Sequence, residues 1–284
     1  MRTARRAATA AFLMLLAGAA GAPAQSPPGI SAQQIAAIVA APDRTAADRT
    51  NDLRRKPEAM LGFIAAGPGM TALDLSAAGG YTTELLARAI GPTGKVYGQS
   101  RPRPADASPR PGVVPEGNSN PTVAAPPPGA PRPSPVALAD RDARMRTAGV
   151  AAAPIVAVVR AFEDPVPPEI APGTLDLATL MFNYHDLGHL GVDRHAMNQA
   201  IFRALKPGGT YIVADHAGRA GTGISEAGTL HRIEEAFLRS EVEAAGFRFV
   251  AEAGFLRNPN DPRDRNTPDP PQPKDDFVLK FVKP

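Results

Sequence analysis

Asn183-Tyr184-His185-Asp186 places an amide, an imidazole and a carboxylate in four consecutive residues. A neutral imidazole accepts a proton near pH 7, so His185 is the candidate general base, and Asn183 and Asp186 are groups that could position it. The plainer reading has His185 and Asn183 tying down a loop through backbone hydrogen bonds, with Tyr184 as a packing residue. A second polar pair, Asp215-His216, follows another apolar run. Carboxylate and imidazole can ligate a divalent ion. Asp186, Asp215 and His216 carry no compact ligand spacing, however, so no metal is expected and Asp215 is expected to pair with a basic residue such as Arg232.

A different chemistry is written in Met70 to Ala87, where an apolar strand ends in Asp74 and a turn of small residues leads into a helix. Strand, small-residue turn and helix in that order form a dinucleotide- or nucleoside-type cradle. Small residues let a ligand approach the backbone, and the helix start offers N–H groups. Ser76, Ala78 and Gly80 stand where such turns usually carry three alternating glycines. Ser and Ala are small enough to be tolerated if their backbone torsions are ordinary. Asp74, Ser76, Ala78, Gly80 and Tyr81 are the expected ligand-binding residues of this turn.

Both clusters need a frame that brings them together. Apolar and β-branched runs predict strands at 71–75, 95–98, 155–160, 174–182, 210–214, 247–252 and 277–282. Between them fall helical segments at 31–41, 44–55, 57–65, 82–90, 135–148, 195–205 and 229–245. Pro57 suits a first helical position, and Gly91, Lys206-Pro-Gly-Gly209 and Gly246 are stops. Leu230, Ile233, Phe237, Leu238 and Val242 follow helical spacing and are expected in the core, while His189 and His195 are read as surface residues. Alternation of strands and helices predicts a parallel sheet covered on both faces, with the last two strands as an antiparallel edge hairpin. Ligands of such sheets sit outside the carboxyl ends of the strands, where both polar clusters fall. The charged run from Arg49 to Lys56 reads as a solvated helix face with internal pairs, or as a lid whose basic residue meets the ligand.

With these pieces in order, the chain resembles the class I S-adenosylmethionine-dependent methyltransferases, and within them a group of exported methyltransferases. The resemblance rests on Leu73 to Ala87, Leu205-Lys-Pro-Gly-Gly-Thr-Tyr-Ile-Val213, Asp43 to Arg49, Arg55-Lys-Pro-Glu58, Asn183 to Asp186, Asp215-His216, His231-Arg-Ile233, Ala244 to Phe247, Asn258 to Asp261 and Phe277 to Pro284. It implies a Rossmann-like three-layer α/β sandwich with a seven-stranded, mostly parallel sheet, S-adenosylmethionine over the first strands and a small-molecule acceptor. In that superfamily an acid after the second strand binds the ribose hydroxyls. Here Gln99 and Ser100 stand at that point, and either makes a weaker, neutral bond. A non-catalytic exported binding protein that keeps the fold but has lost the cofactor is the alternative.

The ends and the composition bound what else is possible. Arg2, Arg5 and Arg6 followed by an apolar stretch and Ala22-Pro-Ala24 predict a signal peptide over residues 1–24 and a periplasmic or secreted protein. The apolar stretch is too short for a bilayer-spanning helix, so no integral membrane anchor is expected. Three of the 31 basic residues lie in this leader, and the remainder balances the 28 acidic ones. That balance, with no Trp, argues against a nucleic-acid partner. The chain has no cysteine and hence no disulfide. Residues 25–284 are expected to form one methyltransferase-like domain. It is interrupted at 101–135, where twelve prolines in a stretch with few apolar residues predict an extended or disordered insertion.

Overall fold

The computed structural model describes residues 29–102, 132–266, 268 and 272–284. The expected leader and nearly all of the proline-rich insertion lie outside the described residues. Three helices come first: α1 (Ala32–Ala40), α2 (Ala46–Arg55) and α3 (Pro57–Ile64). Ser31 and Thr45 start α1 and α2 with reciprocal capping boxes to Gln34 and Asp48, which satisfy otherwise orphaned N–H groups. Lys56, in a left-handed conformation at φ 45°, then reverses the chain so that Pro57 can open α3.

The sheet follows, with β1 (Thr71–Leu75), α4 (Tyr81–Ile90), β2 (Lys95–Ser100), α5 (Ser134–Thr147), β3 (Ile155–Val159) and β4 (Leu175–Met181). Next come α6 (Tyr184–His189), α7 (Arg194–Ala204), β5 (Leu205–His216), α8 (Ala227–Leu230), α9 (Glu235–Ala244), β6 (Arg248–Ala253) and β7 (Asp276–Val282). Strand order is β3-β2-β1-β4-β5-β7-β6, parallel except where β7 pairs antiparallel with both β5 and β6. This is the expected seven-stranded sheet with its antiparallel edge. Helices pack on both faces. Met60, Leu86, Ile90 and Met145 of α3, α4 and α5 bury one face, and Met197, Ile201, Leu238 and Val242 of α7 and α9 bury the other. The winding reverses between β1 and β4, so the loops leaving these two strands flank the crevice where open sheets bind ligands.

Two elements differ from the sequence reading in ways that shape this crevice. The single helix expected over 229–245 is broken into α8 and α9 by His231, left-handed at φ 50°. Here Ile233 bridges to Ala217, taking the His216 carbonyl and giving its own carbonyl to Gly218 N–H. Arg232 is fully buried on Asp261, at 2.8 Å, rather than on Asp215 as expected. Helical spacing hid the break because Ile233 and Leu238 are core residues in either conformation, while Leu230 and Phe237 are only half-buried. The second difference is β2, which runs on through Gln99 and Ser100 rather than ending at Gly98. Among the described residues, no helix is long and apolar enough to cross a membrane.

Candidate active site

At the carboxyl end of β1 the turn is held by a lattice of short bonds. Gln99, fully buried in β2, accepts the Ser76 N–H at 3.0 Å and donates to the Arg160 carbonyl at 2.7 Å. Its amide therefore braces the turn from behind, and Ser100, half-buried, stands at the strand's end. Asp74 closes the turn from the other side. One oxygen accepts the Thr179 hydroxyl at 2.7 Å, the other the Thr83 hydroxyl at 2.6 Å. Because Gly80 offers no side chain as a cap, the Asp74 carboxylate also takes the Thr83 N–H of α4. Burial pushes this carboxyl up to about 6 despite those bonds.

The backbone of the turn differs from the expectation. Ser76, Ala78 and Gly80 have φ of 54°, 46° and 77°, so all three alternating positions keep the left-handed conformation that only glycine adopts without cost. Each non-glycine residue there costs about 1–2 kcal/mol. Phe182 at the end of β4 (φ 59°) and His231 add two more such residues around the same crevice. Strain of this kind gathers where a loop is held for a purpose. Ala78 is exposed, so Ala78→Gly is expected to raise stability by about 0.5–1 kcal/mol in urea denaturation. A loss of that size would mean that the turn is not left-handed at Ala78. Ser76→Gly lacks this simplicity, because the Ser76 hydroxyl reaches across the crevice to Asn183 Oδ1 at 2.6 Å.

That bond joins the turn to the second cluster. Asn183 Nδ2 donates to Asp186 Oδ2 at 2.8 Å, and α6 sets His185 beside it, fully buried. Asp215, at the end of β5, accepts the His185 backbone N–H at 2.7 Å, the His216 N–H at 2.8 Å and His185 Nδ1 at 2.6 Å. The Asp215 carboxylate on Nδ1 favours a proton on that nitrogen. Nε2 lies 3.3 Å from Asp186 Oδ1. His216 turns away to Asp276, at 2.6 Å, so Asp186, Asp215 and His216 do not converge as a ligand set. Tyr184 is buried, its hydroxyl between Glu241 and Asn198, while His189 and His195 are exposed. His231, which with His216 raised the possibility of a metal ligand in the sequence, approaches Asp186 Oδ1 at 3.1 Å. Only the break between α8 and α9 puts it there.

Ion pairs and hydrogen bonds tie α2 to the start of α4 and to α5 beside the turn. Asp48 pairs with Arg141 of α5 at 2.7 Å, and Arg141 also bonds Glu84 of α4 at 2.5 Å and the Gly79 carbonyl. Asp52 accepts the Tyr81 hydroxyl and Arg44, both at 2.7 Å. Burial and Asp52 together raise the Tyr81 hydroxyl well above its ordinary value, so it stays a donor. Arg55 stacks 3.5 Å over the Phe182 ring, where Met60, Tyr81, Thr82 and Met181 line a cleft of about 20 Å³. Small-molecule pockets usually run to about 300–1,000 Å³, so this cleft is too small to hold a cofactor.

The sequence matches no protein-family profile and no curated protein. Solved structures are similar in shape. Geranyl diphosphate C-methyltransferase from Streptomyces coelicolor A3(2), in complex with Mg2+, geranyl diphosphate and S-adenosyl-L-homocysteine, is 12% identical with a TM-score of 0.50, covering 92% of this chain and 91% of its own. The fold is that of the S-adenosylmethionine-dependent methyltransferases. The [4+2]-cyclase SpnF shares this fold at 16% identity and a TM-score of 0.50, over 84% of this chain and 81% of its own. A methyltransferase fold can therefore carry more than one chemistry, and activity has to be argued from the site.

Proposed function

We propose that this protein is an exported S-adenosylmethionine-dependent methyltransferase acting on a small molecule through an oxygen or nitrogen atom. The carrying observation is the Ser76–Asn183 hydrogen bond, which couples the small-residue turn to the polar cluster across the reversal point of the sheet. The residues present suit the cofactor. A Cβ built at Gly79 would meet nothing within 4 Å, so a ligand can approach the backbone there, and Ser100 ends β2 beside the turn. Once α2 opens as a lid, Arg55 can meet the cofactor's carboxylate and the turn its nucleoside. S-adenosylmethionine would supply a sulfonium-activated methyl group.

The chain's own residues do the rest. His185 Nε2 would take the proton that an oxygen or nitrogen acceptor gives up on being methylated. Asp215 on Nδ1 stabilises the resulting imidazolium, and Asn183 and Asp186 orient the acceptor and the ring. Gln99 braces the turn. Residues 1–24 serve as the export signal, and residues 25–284 as one domain interrupted at 101–135.

Calorimetric titration with S-adenosylmethionine and S-adenosylhomocysteine is expected to show binding of both. No heat and no thermal shift at millimolar ligand would remove the cofactor. His185→Ala is expected to leave cofactor affinity unchanged while lowering turnover, read as S-adenosylhomocysteine formed, by about 10²–10⁴-fold. Unchanged turnover would take His185 out of the mechanism.

A further inference from the structure

Two imidazoles and one carboxylate converge on a single point beside the turn. One nitrogen each of His185 and His231 and one oxygen of Asp186 lie within 4.8 Å of one another. Both imidazoles aim at the same atom, Asp186 Oδ1, His185 Nε2 from 3.3 Å and His231 Nδ1 from 3.1 Å. Ligands held about 2.0–2.1 Å from one ion at tetrahedral or octahedral angles stand about 2.9–3.4 Å apart. The separations of 3.3 and 3.1 Å fall in that range.

The surroundings fit as well as the distances. A metal-bound imidazole almost always gives its other N–H to a carboxylate, which fixes the tautomer and makes the ring a better ligand. Asp215 makes that bond to His185 Nδ1 at 2.6 Å. Asp186 is held in turn by Asn183 on its other oxygen. The trio draws on two elements: His185 and Asp186 stand side by side in α6, and His231 comes from the left-handed break after α8. The His185 side chain is buried, whereas those of Asp186 and His231 are about a quarter and a third exposed, which leaves one side open for a further ligand.

We infer that His185, Asp186 and His231 form a binding site for one divalent transition-metal ion of the zinc, cobalt or iron(II) class, with an open position facing the crevice. Two nitrogens and a carboxylate suit such borderline ions, and the all-oxygen preference of magnesium and calcium argues against those. Binding rests on this geometry alone; only the use of the ion rests on the methyl-transfer reading. On that reading a bound ion would take Nε2 and stand in for His185 as the activating group: the acceptor's oxygen or nitrogen would bind at the open position and its proton would pass to solvent water.

Titration of the full-length chain, first freed of metal, with zinc chloride and separately with cobalt(II) chloride tests the site. One ion per chain is expected, with a rise in melting temperature and visible cobalt absorption, and magnesium chloride should give none of these. Asp186→Asn and His231→Asn should each weaken zinc at least about tenfold, and Asp215→Asn by about 10–100-fold through the orientation of His185. Asparagine tolerates the left-handed backbone at 231, so that variant should keep its fold if the buried Asp215→Asn does not. His195→Ala, on the exposed surface, should change nothing. Absence of binding at high micromolar zinc, or binding indifferent to Asp186→Asn and His231→Asn, would overturn the site. Titration of the metal-free chain with S-adenosylmethionine separates the two ideas, since cofactor binding without a metal site, or the reverse, leaves one standing and fells the other.

Discussion

Arg141→Ala is expected to destabilise the protein by about 3–5 kcal/mol and to release α2. Arg141 bridges three elements, bonding Asp48 of α2 at 2.7 Å, Glu84 of α4 at 2.5 Å and the Gly79 carbonyl of the turn. Asp48 and Glu84 are each about 1% exposed, so removing the guanidinium leaves two carboxylates with far less compensation for lost hydration. Burial alone pushes Asp48 up, yet Arg141 and Thr45 hold it below its ordinary value, which reports the strength of the pairing. Glu84 keeps Arg88 at 2.8 Å as well as Arg144, so the greater loss falls on Asp48 and hence on α2. Urea denaturation measures the stability. Limited proteolysis should cut sooner between residues 41 and 56, and hydrogen exchange in α2 should quicken before that in β1. A variant with wild-type stability and unchanged exchange in α2 would show that other contacts hold this helix.

Asp74→Asn carries the opposite sign. The folded carboxyl titrates at about 6 against 3.8 for its ordinary value, so the folded state binds the proton more tightly than the unfolded one. Stability is therefore full below pH 3.8, falls as pH rises toward 6 and stays low above it. A shift of about two units corresponds to about 3 kcal/mol, which the charged form costs at neutral pH. Asparagine keeps the shape and removes the charge, and because the Thr83 and Thr179 hydroxyls rotate, one can accept from its amide. Stability at pH 8 is expected to rise by about 2–3 kcal/mol, with the difference vanishing near pH 4. A loss at pH 8, or an unchanged slope between pH 4 and 7, would mean that Asp74 is not held in this apolar, hydroxyl-lined setting.

The order of the strands and of most helices, the parallel sheet with its antiparallel edge, and the two polar clusters at strand ends were legible in the sequence, but α6, which carries His185, was read as a loop. They follow from local regularities: apolar runs of strand length, glycine and proline stops, and the rule that loops leaving the carboxyl ends of strands hold the ligand. His185 and Asp186 could be singled out because their residue types carry proton and ligand chemistry wherever they occur. What each one touches could not. Asp215 pairs with His185 rather than Arg232, and Gln99 braces the turn, because those partners are 30 and 23 residues apart and meet only through the sheet register.

Backbone conformation marks the same limit. Ser76 and His231 give no sign in their own chemistry of a left-handed φ, which bonds from neighbouring strands to Ser76 and Ile233 accompany. The broken helix at His231 is the clearest case, since helical spacing and a β-bridge bury the same Ile233. Sequence alone determined the frame and the chemical types along its rim, since periodicity and side-chain chemistry are local. Only the tertiary structure decided that Arg141 ties α2 to α4 and the turn, that three ligand atoms come together, and that a turn lacking two of its glycines keeps their shape. Each of these depends on contacts between residues distant in the chain, whose free energy no local pattern encodes.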